Sequence, residues 1–161
     1  MSKIAELTSK NNFKNKIVGT MTMMALRGYP TRLASALRTI EEQKELVAKG
    51  YSKTLKSNHL AQADGKAWAA DLCHITKGWD APRRFWWLLG ANAQARGLGW
   101  GGLFGLSAAQ RVAVVSALDE LRRLKWPMEH EIYHKVKLGW DVAHIELGSN
   151  WPESAGVGTD Q

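Results

Sequence analysis

The segment AWAADLCHI, residues 67–75, constrains the fold more than any other stretch of the chain. It is an apolar run of strand length and reads as a buried strand. A single carboxylate, Asp71, stands in its middle. A carboxylate in such surroundings needs partners or a metal ion, because its desolvation is otherwise too costly. Any fold for this chain must therefore carry compensating groups to Asp71 from elsewhere in the sequence.

The rest of the chain alternates helix and strand signals. Residues 12–27 suit a helix with Ile17, Val18, Met21, Met24 and Ala25 on one side, ended by Gly28-Tyr29-Pro30. TRLASALR (31–38) reads as a short strand. Thr39 and Glu42 form a capping box that opens a helix running to Lys49 and Gly50. Residues 51–65 read as loop. Pro82 opens a helix through Arg96 with Phe85, Trp86, Leu88 and Leu89 as its apolar residues. LGWGGLFG follows as strand and turn. Ser107 and Gln110 cap a helix to Lys125 that carries Val114, Leu118 and Leu121, with Asp119 and Arg123 as an i, i+4 pair. AHIEL (143–147) reads as the last strand, and a loose tail is expected over 148–161. This order predicts a single α+β domain, a small antiparallel sheet flanked by helices.

At 161 residues the chain suits one domain. The single cysteine, Cys73, excludes an internal disulfide and reads as a small buried thiol. No apolar run is long enough to span a bilayer, and the first residues lack the pattern of a secretory signal. The net charge of +7 suits an anionic partner such as nucleic acid, acidic lipid or a bacterial cell wall. It is spread widely, with no dense basic helix or zinc-finger spacing, so specific nucleic-acid binding is not expected. Trp86, Trp87 and Trp100 could stack on sugars, but most of the eight tryptophans are expected to be packing residues.

The five histidines are His59, His74, His130, His134 and His144. HEIYH (130–134) matches His-Glu-x-x-His, a helical zinc motif whose glutamate serves as base. No third ligand follows at a suitable spacing, since Gly139 and His144 come too late for the extended form of the motif. A second constellation is larger. SNH (57–59), Gly65 and AADL (69–72) are followed by WDVAH (140–144), with RT (38–39), EEQ (41–43) and WGG (100–102) in between or upstream.

Together these pieces resemble the zinc D-alanyl-D-alanine carboxypeptidase and L-alanyl-D-glutamate endopeptidase family, which includes many phage endolysins. The resemblance covers residues 30–147 within a domain of residues 1–147, and residues 103–138 would be a helical insertion. It implies zinc ligands at His59, Asp71 and His144, a general base at Asp141, an arginine facing the substrate at Arg38, and pocket positions at Gln43 and Ser57. The spacing from His59 to Asp71 is longer than the family's, and Asp64 in that loop is the competing ligand. Members that cut L-alanyl-D-glutamate tend to carry aspartate three residues before the last histidine, where D-alanyl-D-alanine enzymes tend to carry glutamate.

Two neutral imidazoles and one carboxylate suit zinc and leave a fourth position open for water. Asp141 and His144 are three apart and share a cavity only if the chain turns near Val142, so the last strand is expected to begin near Ala143. The implied function is a monomeric peptidoglycan stem-peptide hydrolase that meets an anionic envelope. It would be made in a host cytoplasm and reach the periplasmic wall after another factor opens the inner membrane. The other readings are a D,D-carboxypeptidase or dipeptidase with the same site, a zinc protease built on His130 and His134, and a non-enzymatic basic binding module.

Overall fold

The computed structural model describes residues 2–153. Strand β2 (Ala69–His74) is buried at every position, as the apolar run predicts, though it is shorter than 67–75. It lies between β1 (Thr31–Ser35) and β4 (His144–Glu146), and β3 (Gly99–Trp100) pairs on the far side of β4. All pairings in this four-stranded sheet are antiparallel, in the order β1-β2-β4-β3. The helices are α1 (Phe13–Leu26), α2 (Ile40–Ala48), α3 (Arg83–Ala95), α4 (Ala108–Arg123) and α5 (Ile132–Lys135). The chain is thus a single α+β domain.

Strand alternation divides the sheet's two faces. Ala70, Leu72 and the cross-strand partner Ile145 join the apolar core with Phe85, Trp87 and Leu89 of α3. Asp71 and its cross-strand partner His144 therefore point to the opposite face. Helix α1 lies against α3 and β1, and α3 also contacts β3 and α5. Helix α3 is buried along most of its length, including Trp87, which its expected apolar residues did not include. Each such side chain contributes on the order of 1.5–3 kcal/mol of apolar transfer.

Several local expectations shift. The buried stripe of α1 is Phe13, Ile17, Thr20 and Met24, so Val18, at 44 % exposure, lies outside it. That stripe steps by four, three and four residues, which keeps it on one side of a helix, whereas Val18 is turned about 100° from Ile17. In α2 the Thr39 hydroxyl accepts from the Glu42 backbone, as a cap requires, while the Ser107–Gln110 box of α4 is complete in both directions. Helix α4 stops at Arg123, and Lys125 and Trp126 follow with positive φ. The expected Asp119–Arg123 pair is replaced by two i, i+3 pairs, Arg122 with Asp119 and Arg123 with Glu120. Of the tail expected to be loose from Gly148, Asn150 is hydrogen-bonded to both backbone polar groups of Trp100, and Trp151 stacks on the Trp100 ring. Residues 154–161 lie outside the described residues. No helix among the described residues is long and apolar enough to cross a membrane.

Trp100 is fully buried over Gly90 of α3, where an added Cβ would lie 2.5 Å from the indole. Gly90→Ala should therefore overpack this joint by about 1–3 kcal/mol. Its melting temperature should fall by about 3–10 °C in a calorimetric scan. An unchanged or raised melting temperature would mean that the Trp100 ring yields freely.

Candidate metal centre

Local backbone features set the site. A register shift between Leu33 and Ser35 ends the regular pairing of β1, and the chain continues beside the loop that carries His59. Arg38 N donates to His59 O at 2.7 Å, which ties that loop to the sheet edge. Ser57 Oγ accepts from His59 N at 3.1 Å, so the Ser-x-His pattern has a local structural role. At the other end, His144 N donates to Asp141 O at 3.0 Å and closes a turn through Val142. Strand β4 begins at His144, one residue later than expected. Gly101 makes room for that turn, since a Cβ there would fall 1.9 Å from Asp141 O.

These features bring His59, Asp71 and His144 together as a buried group whose ligand atoms lie within 4.8 Å of one another. The pairing of each ring nitrogen fixes the tautomer. His59 Nδ1 faces Ala36 O at 2.7 Å, which only an N–H can do, so Nε2 keeps its lone pair in the neutral ring. His144 Nε2 lies 3.0 Å from Glu146 Oε1, which leaves Nδ1 as its free nitrogen. Both free nitrogens approach the same carboxylate oxygen: His59 Nε2 is 3.2 Å and His144 Nδ1 3.4 Å from Asp71 Oδ1. Asp71 Oδ1 and His59 Nε2 are buried with no hydrogen-bond partner, being close but not aligned for one. Lone pairs of this kind converge only around a proton or a metal ion.

The spacing fits a metal. Tetrahedral zinc with ligand bonds of 2.0–2.1 Å has ligand–ligand edges of about 3.3 Å. The two separations from Asp71 Oδ1 bracket that value. The other carboxylate oxygen is already engaged, since Arg38 Nη2 donates to Asp71 Oδ2 at 2.7 Å. Asp71 thus offers one oxygen. A two-histidine, one-carboxylate set is suited to zinc chemistry.

The surrounding residues hold these ligands and open onto a cleft of about 800 Å³. Arg38, expected to face a substrate, lines that cleft while donating to Ser35 Oγ, Gln43 Oε1 and Asp71. Gln43 is buried, and its amide donates to Ser52 Oγ and Thr54 O, which fastens the cleft's rim loop. Asp141 Oδ2 lies 3.8 Å from His144 Nδ1, with its side chain 33 % exposed to the cleft. Sequence reasoning missed Glu146, which faces His144 from the same strand, and Asn58, which donates to Glu146. The two-residue alternation from His144 to Glu146 was the available signal.

Two competing assignments do not form a site. Asp64 is exposed and accepts from the Thr8 hydroxyl, Lys66 N and Trp68 Nε1. In HEIYH the helix α5 spans only Ile132–Lys135, so His130 lies outside it and its Nδ1 accepts from Ile132 N. Glu131 pairs with Lys135 on the surface. Among the described residues, His59, Asp71 and His144 are the one group of three such ligands close enough to share an ion.

Charge follows geometry. Burial alone would raise the Asp71 carboxyl, but the neighbouring His144 and His59 nitrogens outweigh it and hold the group well below the usual carboxylate range. Burial alone would lower His144, but Asp71 and Glu146 outweigh it and push the imidazole up to about 10. Burial and the nearby Asp71 charge raise Asp141.

Among solved structures, the chain is similar to the crystal structure of the Serratia marcescens L-Ala D-Glu endopeptidase ChiX. The identity is 17 %, the match covers 90 % of this chain and 83 % of that one, and the TM-score is 0.49. No family profile matches the chain, and no curated protein does.

In the metal-free protein, the raised His144 value stabilises the fold fully below about pH 6.5, and this contribution is lost as pH rises through about 10. The depressed Asp71 value acts oppositely, stabilising above about pH 4 and failing in acid. At pH 8 His144 is therefore still protonated, and a metal must displace that proton. Zinc binding at pH 8 should release about one proton, and affinity should rise about tenfold per pH unit between pH 7 and 9. Calorimetry in buffers of different ionisation enthalpy measures this directly. Binding without proton release would place the ion elsewhere.

Proposed function

We propose that this chain is a zinc-dependent peptidase of bacterial peptidoglycan that cuts the L-alanyl-D-glutamate bond of the stem peptide, as phage endolysins do. One observation carries the reading most. Three buried ligand groups from distant segments converge at the floor of a cleft, two of their facing atoms, His59 Nε2 and Asp71 Oδ1, have no hydrogen-bond partner, and a further carboxylate stands beside them. The residues that carry the sequence resemblance are the same ones. In this reading His59, Asp71 and His144 hold zinc. Bound there, zinc would supply Lewis acidity, lowering the pKa of water and polarising a peptide carbonyl.

The protein's own groups supply the rest. Asp141 takes a proton from the attacking water and returns it to the leaving amine. Its carboxyl, raised by burial and by Asp71, is a stronger base than an ordinary aspartate. Arg38 keeps Asp71 turned so that one oxygen faces the histidines. Glu146 and the Ala36 carbonyl hold the two rings in the required tautomers. Lys56 on the cleft wall gives a positive field for the free α-carboxylate of D-glutamate. Asp141 rather than glutamate favours the L-alanyl-D-glutamate bond within the resembled family. The overall basic charge favours an anionic envelope, which the enzyme would meet once another factor opens the inner membrane.

Digestion of purified murein, followed by mass spectrometry, tests the reaction. The expected products are glycan strands bearing only L-alanine and peptides with a new free amine on D-glutamate. Release of free D-alanine would instead identify a carboxypeptidase.

Variants test the roles. His59→Ala and His144→Ala should each lose zinc and activity, while His130→Ala and His134→Ala keep most of both. The opposite pattern would return the site to HEIYH. Asp141→Asn should keep its zinc and its melting temperature while turnover falls by about 10²-fold or more. Turnover close to wild type in that variant would remove Asp141 from the mechanism.

A further inference from the structure

The cleft has an aromatic wall that the reaction above leaves without a task. It begins at the metal centre, where the Phe104 ring lies 5.2 Å from the His144 ring. Phe104 in turn meets Trp140 at 5.6 Å, tilted by 47°. Trp140 is 42 % exposed, although a tryptophan is among the costliest side chains to leave in water. It is nevertheless held in place. Its edge rests on Gly105, where a Cβ would lie 3.3 Å from Cδ1. Lys53 Nζ sits 5.2 Å from the indole centroid. A held, exposed indole two ring steps from a metal centre is built to receive something flat.

We propose that Trp140 is a sugar-stacking subsite that takes the N-acetylated muramoyl residue to which the stem peptide is attached. This rests on the peptidase reading above. In a stem peptide cut after its first residue, only L-alanine and a lactyl link separate the scissile carbonyl from the sugar. That separation is about two residue lengths, or about 7 Å. Ring steps of 5.2 and 5.6 Å from His144 set Trp140 no more than about 11 Å away, the reach of that link together with the sugar ring it carries. The choice of sugar over the other side of the substrate follows from charge. The face of an indole is partially negative and repels a carboxylate, whereas the C–H face of a pyranose is weakly positive. The D-glutamate side, with its free carboxylate, belongs with Lys56 on the cleft wall. Lys53 is exposed, so a sugar seated on the indole displaces only a solvated cation and leaves that ammonium at its edge as a donor to the acetamido oxygen.

The test compares two substrates of one peptide sequence, one carrying N-acetylmuramic acid on its L-alanine and the other a simple acetyl cap. Wild type should show a KM about tenfold lower for the muramoyl peptide. Trp140→Ala should raise KM for the muramoyl peptide about tenfold more than for the capped one, and Trp140→Tyr should keep most of the preference. Trp140→Leu fills similar space without a π face and should behave as Trp140→Ala, with its melting temperature recorded alongside. Saturation-transfer NMR of free N-acetylmuramic acid against metal-free protein gives a readout independent of turnover, with signal expected for wild type and lost in Trp140→Leu. Equal wild-type KM values for the two substrates, or equal losses on both in the variants, would overturn the subsite and leave the peptidase reading standing. Cleavage of neither substrate by the zinc-loaded wild type would remove the peptidase reading, and the subsite with it.

Discussion

The carboxylate of Asp71 lies inside a β-sheet, where ionisation without compensation would cost several kcal/mol. The protein compensates it from three separate segments: Arg38 beyond the end of β1, His59 in the long loop, and His144 at the head of β4. Much of the architecture on this face follows from that requirement. The break in the β1 register sends the chain toward Arg38, the Arg38–His59 backbone bond draws the loop inward, and the turn at Val142 delivers His144 opposite Asp71. Removing any one partner would leave a buried charge or lone pair unmatched, which is why the three segments are held so closely.

A second layer makes the arrangement rigid. Gln43 fixes Arg38 and the rim loop at once. The Ala36 carbonyl and Glu146 fix the two imidazoles, and Asn58 holds Glu146. Each ligand candidate thus has its orientation set by a neighbouring group that is not itself one of the three. Such support turns a cluster of polar residues into a site with a defined geometry, because side chains without it would swing among rotamers. The same layer links the centre to the wall of the cleft, so the cleft's shape and the ligand geometry are not independent.

HEIYH shows how little a short motif decides without its setting. His-Glu-x-x-His requires a helix long enough to place both histidines on one face. Here Pro127 and the positive-φ residues Lys125 and Trp126 end the preceding helix, and α5 is only four residues long. His134 is exposed, and His130 is turned to its own backbone. The constellation that does assemble is spread over more than eighty residues of sequence and has no helical ligand at all. Strands and a loop bring it together, which allows the Asp71–His144 pair to be set by sheet register.

The sequence by itself determined the local features. Apolar periodicity and caps located the main helices and strands, and the isolated carboxylate in AWAADLCHI announced a buried site needing partners. The motif order made His59, Asp71 and His144 candidates for one centre, and the three-residue step from Asp141 to His144 required the turn that is present. Tertiary structure decided what periodicity cannot carry. It exposed Val18, exchanged the helical ion pairs of α4, left Asp64 on the surface, and engaged Arg38 with Asp71. It also recruited Glu146 and Asn58, and it left Trp140 in the open while burying Trp87 and Trp100. The reason is one of range. Helix and strand signals depend on neighbours a few residues away, whereas the partner of a charge or the cover of an indole comes from any segment that the sheet register and its turns bring alongside.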